Sequence, residues 1–266
     1  MEYIITTQIT EDYYLRTKPL FDSIKRYWKG RFVIGFIDFL PKDYDGEYYL
    51  MQKENIFTYR SDYPKNRNSF VCPQGGEFIE YLNCLDDDVI MQIDADTIMQ
   101  RELDENELLN LIPIDNEIIS VYSANPQMSL YQVSKNLNFI NPEQFKHLEN
   151  VLEFTGSILI ANKKTFMILR DKIIEQWDEF IKLNSHHAGI QWLISKISRE
   201  NFKIKILNNI YQCGIWYQTF NTSIHNHKLY IDNNIVIFNH TQFNDSQFIN
   251  NSVIPTWNIN LKTIVR

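Results

Sequence analysis

The sequence predicts an α/β domain, a mostly parallel sheet with helices on both faces. Val89, Ile90, Met91 and Ile93 form a short apolar run between Asp86-Asp87-Asp88 and Asp94-Ala95-Asp96. A run of that length between turn signals fits a strand buried on both faces of a sheet and is too short for a free-standing helix. The amino-terminal segment reads as strand, helix, strand: an apolar stretch at 3–7, Leu15, Phe21, Ile24 and Trp28 at helical intervals over 12–28, and a second apolar stretch at 32–37 ending at Asp38. That spacing is a βαβ unit. Later, Phe166, Leu169, Ile173, Trp177 and Phe180 recur at intervals of three and four, which gives a helix with one apolar face to lay on the sheet.

In chain order, Thr6-Thr7-Gln8 is the polar end of the first strand, and Pro19 is a point where the following helix divides or restarts. Residues 41–52 read as a polar, Tyr-rich loop and 56–59 as a short third strand. Residues 60–68 are turn-rich and locally basic, with Arg60, Lys65 and Arg67. Gly75-Gly76 opens a helix running to about Cys84, and Asp86-Asp87-Asp88 is an ordinary solvated turn. After the Asp pair, 104–111 is a short helix closed by Pro113 and 117–123 is a strand. Residues 125–141 are polar and irregular up to a helix started by Pro142. Phe154-Thr155-Gly156-Ser157 leads into an apolar strand, after which Asn162 caps the next helix. Residues 185–192, SHHAGIQW, lead into another helix. Residues 203–207 and 235–238 are late strands, the second followed by Asn239-His240-Thr241. One domain over 1–243 is expected, with a polar tail at 244–266 packing on or near the active site.

Composition narrows the function classes. The chain has 266 residues, 44% of them hydrophobic, enough for one α/β domain with a real core; the aromatic content of 14% fills that core. A formal net charge of −7 argues against a general nucleic-acid binder, which carries a basic balance. It leaves room for a nucleotide, because a bound metal reverses the local charge. Cys72, Cys84 and Cys213 have no metal-ligand spacing and no even-numbered framework, so they read as reduced thiols of a cytoplasmic protein. The start, MEYIITTQIT, lacks the basic region and apolar stretch of a signal peptide, and no stretch approaches a transmembrane span.

Asp94 and Asp96 leave their strand at its carboxyl end, where open α/β sheets bind ligands. Two carboxylates one residue apart, on chain just leaving extended geometry, can turn toward one point. A core has no use for that, since a buried carboxylate is costly unless paired or bound to a metal. Hard divalent cations take carboxylate and phosphate oxygens.

A buried strand ending in D-x-D resembles the metal-binding motif of GT-A-type glycosyltransferases, the nucleotide-sugar-dependent enzymes. The resemblance implies a GT-A-like fold in which Asp94 and Asp96 hold Mn²⁺ or Mg²⁺, and the metal holds the donor diphosphate as a stabilised leaving group. It places Asp94 and Ala95 beside the nucleotide sugar. Thr6, Thr7, Gln8 and Asp38 occupy the strand ends that contact base and ribose in that family, although the threonines equally suit strand-end capping. Arg67 is the first choice for the diphosphate, because a planar guanidinium suits bidentate phosphate contact. Glu77 stands where relatives often carry an Arg, a departure that leaves Gly75-Gly76 and the helix N-terminus as another route to the donor.

Thr155-Gly156-Ser157 is similar to the family's small-residue turn beside the metal, where a glycine lets the sugar approach the backbone. Gln191 matches a sugar-facing Gln, while the acidic place beside it reads Ile190. That departure removes the obvious carboxylate and leaves Glu153, His187 and Gln191 as unranked catalytic candidates. His240 resembles the third metal ligand of several branches, imidazole being an acceptable Mn²⁺ ligand. To deliver it, the strand at 235–238 must run beside the central strands.

The expected activity is metal-dependent transfer of a sugar, a hexose by expectation, from a UDP-linked donor to a hydroxyl of a glycan, a lipid-linked acceptor or a protein. One rival is a nucleotidyltransferase on a related sheet, but that class opens with a Gly-rich basic loop after the first strand, and ITTQITED has no glycine. The other is a non-catalytic carbohydrate-binding or interaction protein, in which the Asp pair and His240 would have no purpose.

Overall fold

A computed structural model of the chain describes residues 2–52, 58–59, 70–71, 76–122, 127–183, 189–214 and 221–241, with backbone alone at 58–59 and 70–71. Seven strands form the central sheet in the order Lys203–Leu207 (β10), Glu117–Val121 (β8), Ile158–Asn162 (β9), Val89–Ile93 (β6), Tyr3–Thr10 (β1), Arg31–Ile37 (β2) and Glu47–Met51 (β3). Neighbours are parallel except at β9, which runs antiparallel to both β6 and β8. The sheet is therefore mixed and largely parallel, as expected.

Strand alternation divides the core in two. Ile4 and Ile90 point into a cluster under Phe78–Asn83 (α2), Leu130–Asn136 (α4), Lys163–Leu183 (α5) and Gly189–Asn201 (α6). Ile5, Val89, Met91 and Ile93 point the other way, to Leu20 and Ile24 of Glu11–Tyr27 (α1), Met99 of Thr97–Met99 (β7) and Phe238 of Phe238–His240 (β15). All five residues of β6 are buried, which is what a strand covered on both faces requires. The α5 face of Phe166, Leu169, Ile173, Trp177 and Phe180 is buried as its spacing predicts, and the Asn162 side chain accepts from Thr165 N at 2.8 Å to cap it.

Several local expectations need correction. Helix α1 runs unbroken through Pro19; the residue one turn earlier, Leu15, is exposed, so the carbonyl that loses its partner lies on the solvent side. The buried face of α1 is instead Tyr14, Thr17, Leu20, Ser23 and Ile24, with Ser23 Oγ accepting from Met99 N at 3.0 Å. The loop at 41–52 contains β3, which extends the sheet beyond β2. The short strand near 56–59 is Thr58–Tyr59 (β4), paired antiparallel with Phe70–Val71 (β5).

Asp87 is not a solvated turn residue: it is 5% exposed and receives Arg31 Nη1 at 2.7 Å, while the same guanidinium holds Glu47. Within 125–141, Ser129 and Gln132 form a reciprocal capping box that starts α4. The segment begun by Pro142 is a 3-10 helix, Pro142–Leu148. The short helix after the Asp pair, Glu105–Asn110 (α3), has a capping box on Asp104.

The late strand departs most from expectation. It does not join the central sheet. Strand β15 pairs antiparallel with β7 and parallel with Gln212–Cys213 (β11) in a separate three-stranded sheet. Buried Gln100 ties this layer to the hairpin of Thr222–His225 (β12), Lys228–Ile231 (β13) and Asn234–Ile235 (β14). Its Nε2 donates to Val236 O at 2.7 Å and its Oε1 accepts from Leu229 N at 2.8 Å.

Cys84 and Cys213 are free thiols, and burial pushes the Cys213 thiol up to about 12. Cys72 and the tail at 244–266 lie outside the described residues. Among the described residues no helix is long and apolar enough to cross a membrane.

Candidate functional site

The chain turns sharply as it leaves β6. Asp94 N donates to Ser157 O at 3.0 Å, and Thr97 N closes the turn on Asp94 O at 3.2 Å. This turn sends Asp94-Ala95-Asp96 directly into β7. Strand β15 then lies along β7 with His240 opposite Thr97, and Thr241 clamps the end by donating both its N–H and its hydroxyl to Asp96 O, each at 2.8 Å. The register brings His240 Nε2 to 3.0 Å from Asp96 Oδ1 and 3.6 Å from Asp94 Oδ2.

One ligand atom from each of the three residues lies within 4.8 Å of the others, and among the described residues no other His, Cys, Asp or Glu trio gathers this closely. Asp94 keeps 47% of its side-chain surface open, against 16% for Asp96 and 13% for His240. Asp96 and His240 are therefore mostly covered, and Asp94 is the most open of the three.

The electrostatics follow from that crowding. Burial raises the Asp94 pKa; His240 and a hydrogen bond from Ser157 pull it down, and Asp96 pushes it up further. For His240, burial favours the neutral ring, but Asp96 and Asp94 together outweigh it and raise the pKa. Two carboxylates this close favour a positive charge beside them, which the His240 imidazolium supplies when no ion is bound. Carboxylate oxygens and an imidazole nitrogen are a donor set that suits a divalent cation, so the group can hold a metal ion.

Beside this trio lies the turn that precedes β9. Thr155 N donates to Val121 O at 3.0 Å, and Ser195 of α6 bridges the Phe154 N–H and carbonyl at 3.2 and 3.0 Å. Gln191, in the first turn of α6, accepts from Gly156 N through Oε1 at 3.1 Å and donates through Nε2 to Glu153 Oε2 at 2.8 Å. Ser157 Oγ lies 3.0 Å from Thr155 Oγ1 and 3.3 Å from His240 Nδ1. The fold thus gathers Glu153, Thr155, Gly156, Ser157 and Gln191 next to Asp94, Asp96 and His240. A Cβ added at Gly156 would meet only Gln191 and Ile194 side-chain atoms at 3.9 Å, so the chain's own packing does not demand a glycine there.

The remaining candidates are more dispersed. Strand β1 continues to Thr10, so Thr6 and Thr7 are interior strand residues, 2% and 1% exposed, and Thr6 Oγ1 donates to Val33 O at 2.9 Å. The expectation that they end the strand is corrected on this point. Gln8 lies further along β1, near the carbon that a side chain at Gly35 would occupy. Asp38 is exposed at the end of β2 with φ 60°, and its N–H donates to Met51 O at 2.9 Å. Ala95 packs on a cluster of Ile9, Tyr14, Ile34 and Phe36 with Phe39 and Tyr44. Nothing in the sequence singled out that aromatic group, because its members come from three separate segments. Arg67 and His187 lie outside the described residues.

No protein-family model and no curated protein matches the sequence. The fold does have a counterpart among solved structures, the glycosyltransferase GlyE of Streptococcus pneumoniae TIGR4. It matches with a TM-score of 0.51 at 13% identity over 82% of this chain. The chain has a glycosyltransferase-like fold. It covers 48% of the GlyE chain, about half its length. The expected GT-A-like α/β architecture is therefore present, and the Asp94–Asp96 pair fits the D-x-D pattern at the end of a central strand.

Proposed function

We propose that the protein is a metal-dependent glycosyltransferase that moves a sugar from a nucleotide-diphosphate donor, UDP-linked, to a hydroxyl of a glycan, a lipid-linked acceptor or a protein. The observation that carries this reading is the convergence of Asp94, Asp96 and His240 at the carboxyl end of a central strand in a glycosyltransferase-like fold. These three residues would hold Mn²⁺ or Mg²⁺. When bound, such an ion supplies the positive charge that stabilises a departing diphosphate.

The chain's own groups do the rest. The turn at Thr155-Gly156-Ser157 offers backbone to the sugar, and Gln191 braces that turn through Gly156 N while its other end is held by Glu153. Ala95, with Gln8 on β1 and Asp38 just after β2, belongs to the nucleoside side, and Thr6 and Thr7 support that side from within the sheet. Arg67 is assigned to the diphosphate. In the transfer, the bond from the anomeric carbon to the diphosphate oxygen breaks and its electron pair leaves with the diphosphate. A bond to the acceptor oxygen forms, and the acceptor hydroxyl proton passes to a base. His187 is a candidate for that base, whereas Glu153 and Gln191 are engaged with each other in the structure.

Thermal unfolding tests the donor assignment. UDP with Mn²⁺ should raise the melting temperature by several degrees, since a ligand at a hundred times its Kd contributes about 2.7 kcal/mol. UDP with chelator should do much less. Equal shifts in the two conditions would rule out a metal-bridged diphosphate.

Gly156 tests the sugar assignment. Gly156→Ala should fold normally, because the added methyl meets only ordinary contacts at 3.9 Å. Transfer should nevertheless fall about tenfold or more, the scale of one misplaced methyl group in a specificity pocket. Unchanged kcat/KM would mean that the sugar does not approach this turn.

A further inference from the structure

We propose that Ser157 is a positioning residue for His240: its hydroxyl holds the imidazole with Nε2 toward Asp94 and Asp96. The role rests on the reading of Asp94, Asp96 and His240 as metal ligands. An imidazole that binds a cation through Nε2 carries its remaining proton on Nδ1, and the acceptor of that proton fixes both tautomer and ring orientation. Here Nδ1 lies 3.3 Å from Ser157 Oγ, and Ser157 is itself buried.

Ser157 sits in a network of hydrogen bonds that extends to the buried Glu153 carboxylate. A carboxylate only accepts hydrogen bonds, so the Gln191 NH₂ must face Glu153 Oε2, at 2.8 Å. Its Oε1 then faces the other way, and the Gly156 backbone N–H, which can only donate, confirms this at 3.1 Å. Thr155 Oγ1, 3.4 Å from that oxygen, donates to it. The same hydroxyl accepts from Ser157 N at 3.1 Å and lies 3.0 Å from Ser157 Oγ. Ser157 gives its own proton to the Asp94 carboxylate, which can only accept, so Ser157 Oγ offers His240 a lone pair. That is what Nδ1–H needs for Nε2 to be free toward the carboxylates. The same network braces the turn of Thr155-Gly156-Ser157, so the metal group and the turn beside it share one set of hydrogen bonds.

The test is Mn²⁺ affinity of the full chain without nucleotide, read from the electron paramagnetic resonance signal of the free ion, with circular dichroism to confirm folding. Asp96→Asn and His240→Ala should each weaken binding. Ser157→Ala should weaken it by about 10- to 100-fold, the usual effect of removing the outer partner of a ligating histidine. In a His240→Ala background, Ser157→Ala should have a much smaller effect, because only its bond to Asp94 remains.

If Ser157→Ala binds Mn²⁺ as wild type does while Asp96→Asn and His240→Ala do not, Ser157 has no hold on the ligand. If Ser157→Ala weakens binding by the same factor with and without His240, it does not act through His240. Either result overturns the proposal. Unchanged binding in Asp96→Asn would remove the metal reading itself and this role with it. Should Ser157→Ala not fold, Ser157→Cys carries the same test. A thiol is a weak acceptor for Nδ1–H at nearly the same volume: a weakening that shrinks without His240 supports the role, and no weakening overturns it.

Discussion

Asp96→Asn should lower sugar transfer by about a thousandfold while leaving the fold intact. The loss is the scale expected when a metal that supplies several kcal/mol of leaving-group stabilisation is no longer held. Folding should survive because the contacts that dock the carboxyl-terminal strand use the Asp96 backbone. Thr241 N and Oγ1 both bind Asp96 O at 2.8 Å, and the β7–β15 ladder does not involve the carboxylate. Asn also keeps an acceptor for His240 at nearly the same place. The substitution should therefore separate charge from shape: circular dichroism and melting stay close to wild type, and Mn²⁺-dependent UDP binding disappears. Near-normal turnover of the variant with Mn²⁺ would remove the metal assignment.

Trp192→Ala should have the largest effect on stability. Trp192 is fully buried, and its Nε1 donates to Leu130 O at 2.7 Å. Its ring meets Phe139 and Phe145 edge-on with centroids 4.8 Å away in each case. One side chain thus joins α6, the start of α4 and the 3-10 helix. Removing it leaves a large cavity and a buried carbonyl without its donor, at a cost of about 3–5 kcal/mol. Against a typical total of about 5–15 kcal/mol, that is a large fraction, and the melting temperature should drop by about 10 °C. Trp192→Phe restores most of the volume but not the N–H and should fall between. The neighbouring Gln191 gives a second readout: loosening the first turn of α6 should also lower UDP-dependent stabilisation. An alanine variant that melts within about 2 °C of wild type would contradict this packing account.

Much of the scaffold is legible along the chain because its determinants are local. The run Val89 to Ile93 announces a strand covered on both faces. The intervals of Phe166, Leu169, Ile173, Trp177 and Phe180 mark a helix face, and those same five residues are buried. Asp94 and Asp96 could be picked out because carboxylates at the end of a buried strand conflict with everything before them. The capping box of Ser129 and Gln132 was equally local, and the polar composition around it hid the helix it starts.

Other features depend on which distant segments meet, and no periodicity records that. Asp87 reads as a surface acid until Arg31, 56 residues earlier in the chain, is seen to bury it. Pro19 reads as a helix break, and only the placement of α1, with Leu15 outward, lets the helix pass through it. His240 follows a late strand as expected, yet it reaches the Asp pair by pairing with β7 rather than by joining the central sheet. Its contact with Ser157 spans 83 residues.

Helix periodicity and capping are set by interactions within a few residues, so the sequence carries them by itself. Strand partnership depends on which edge is free and on the register that buries the right face, and closing long loops costs free energy that rises only slowly with length. The order of residues therefore determined the elements and the Asp pair. Only the tertiary structure decided that the side chains of Asp94, Asp96, His240 and Ser157 meet.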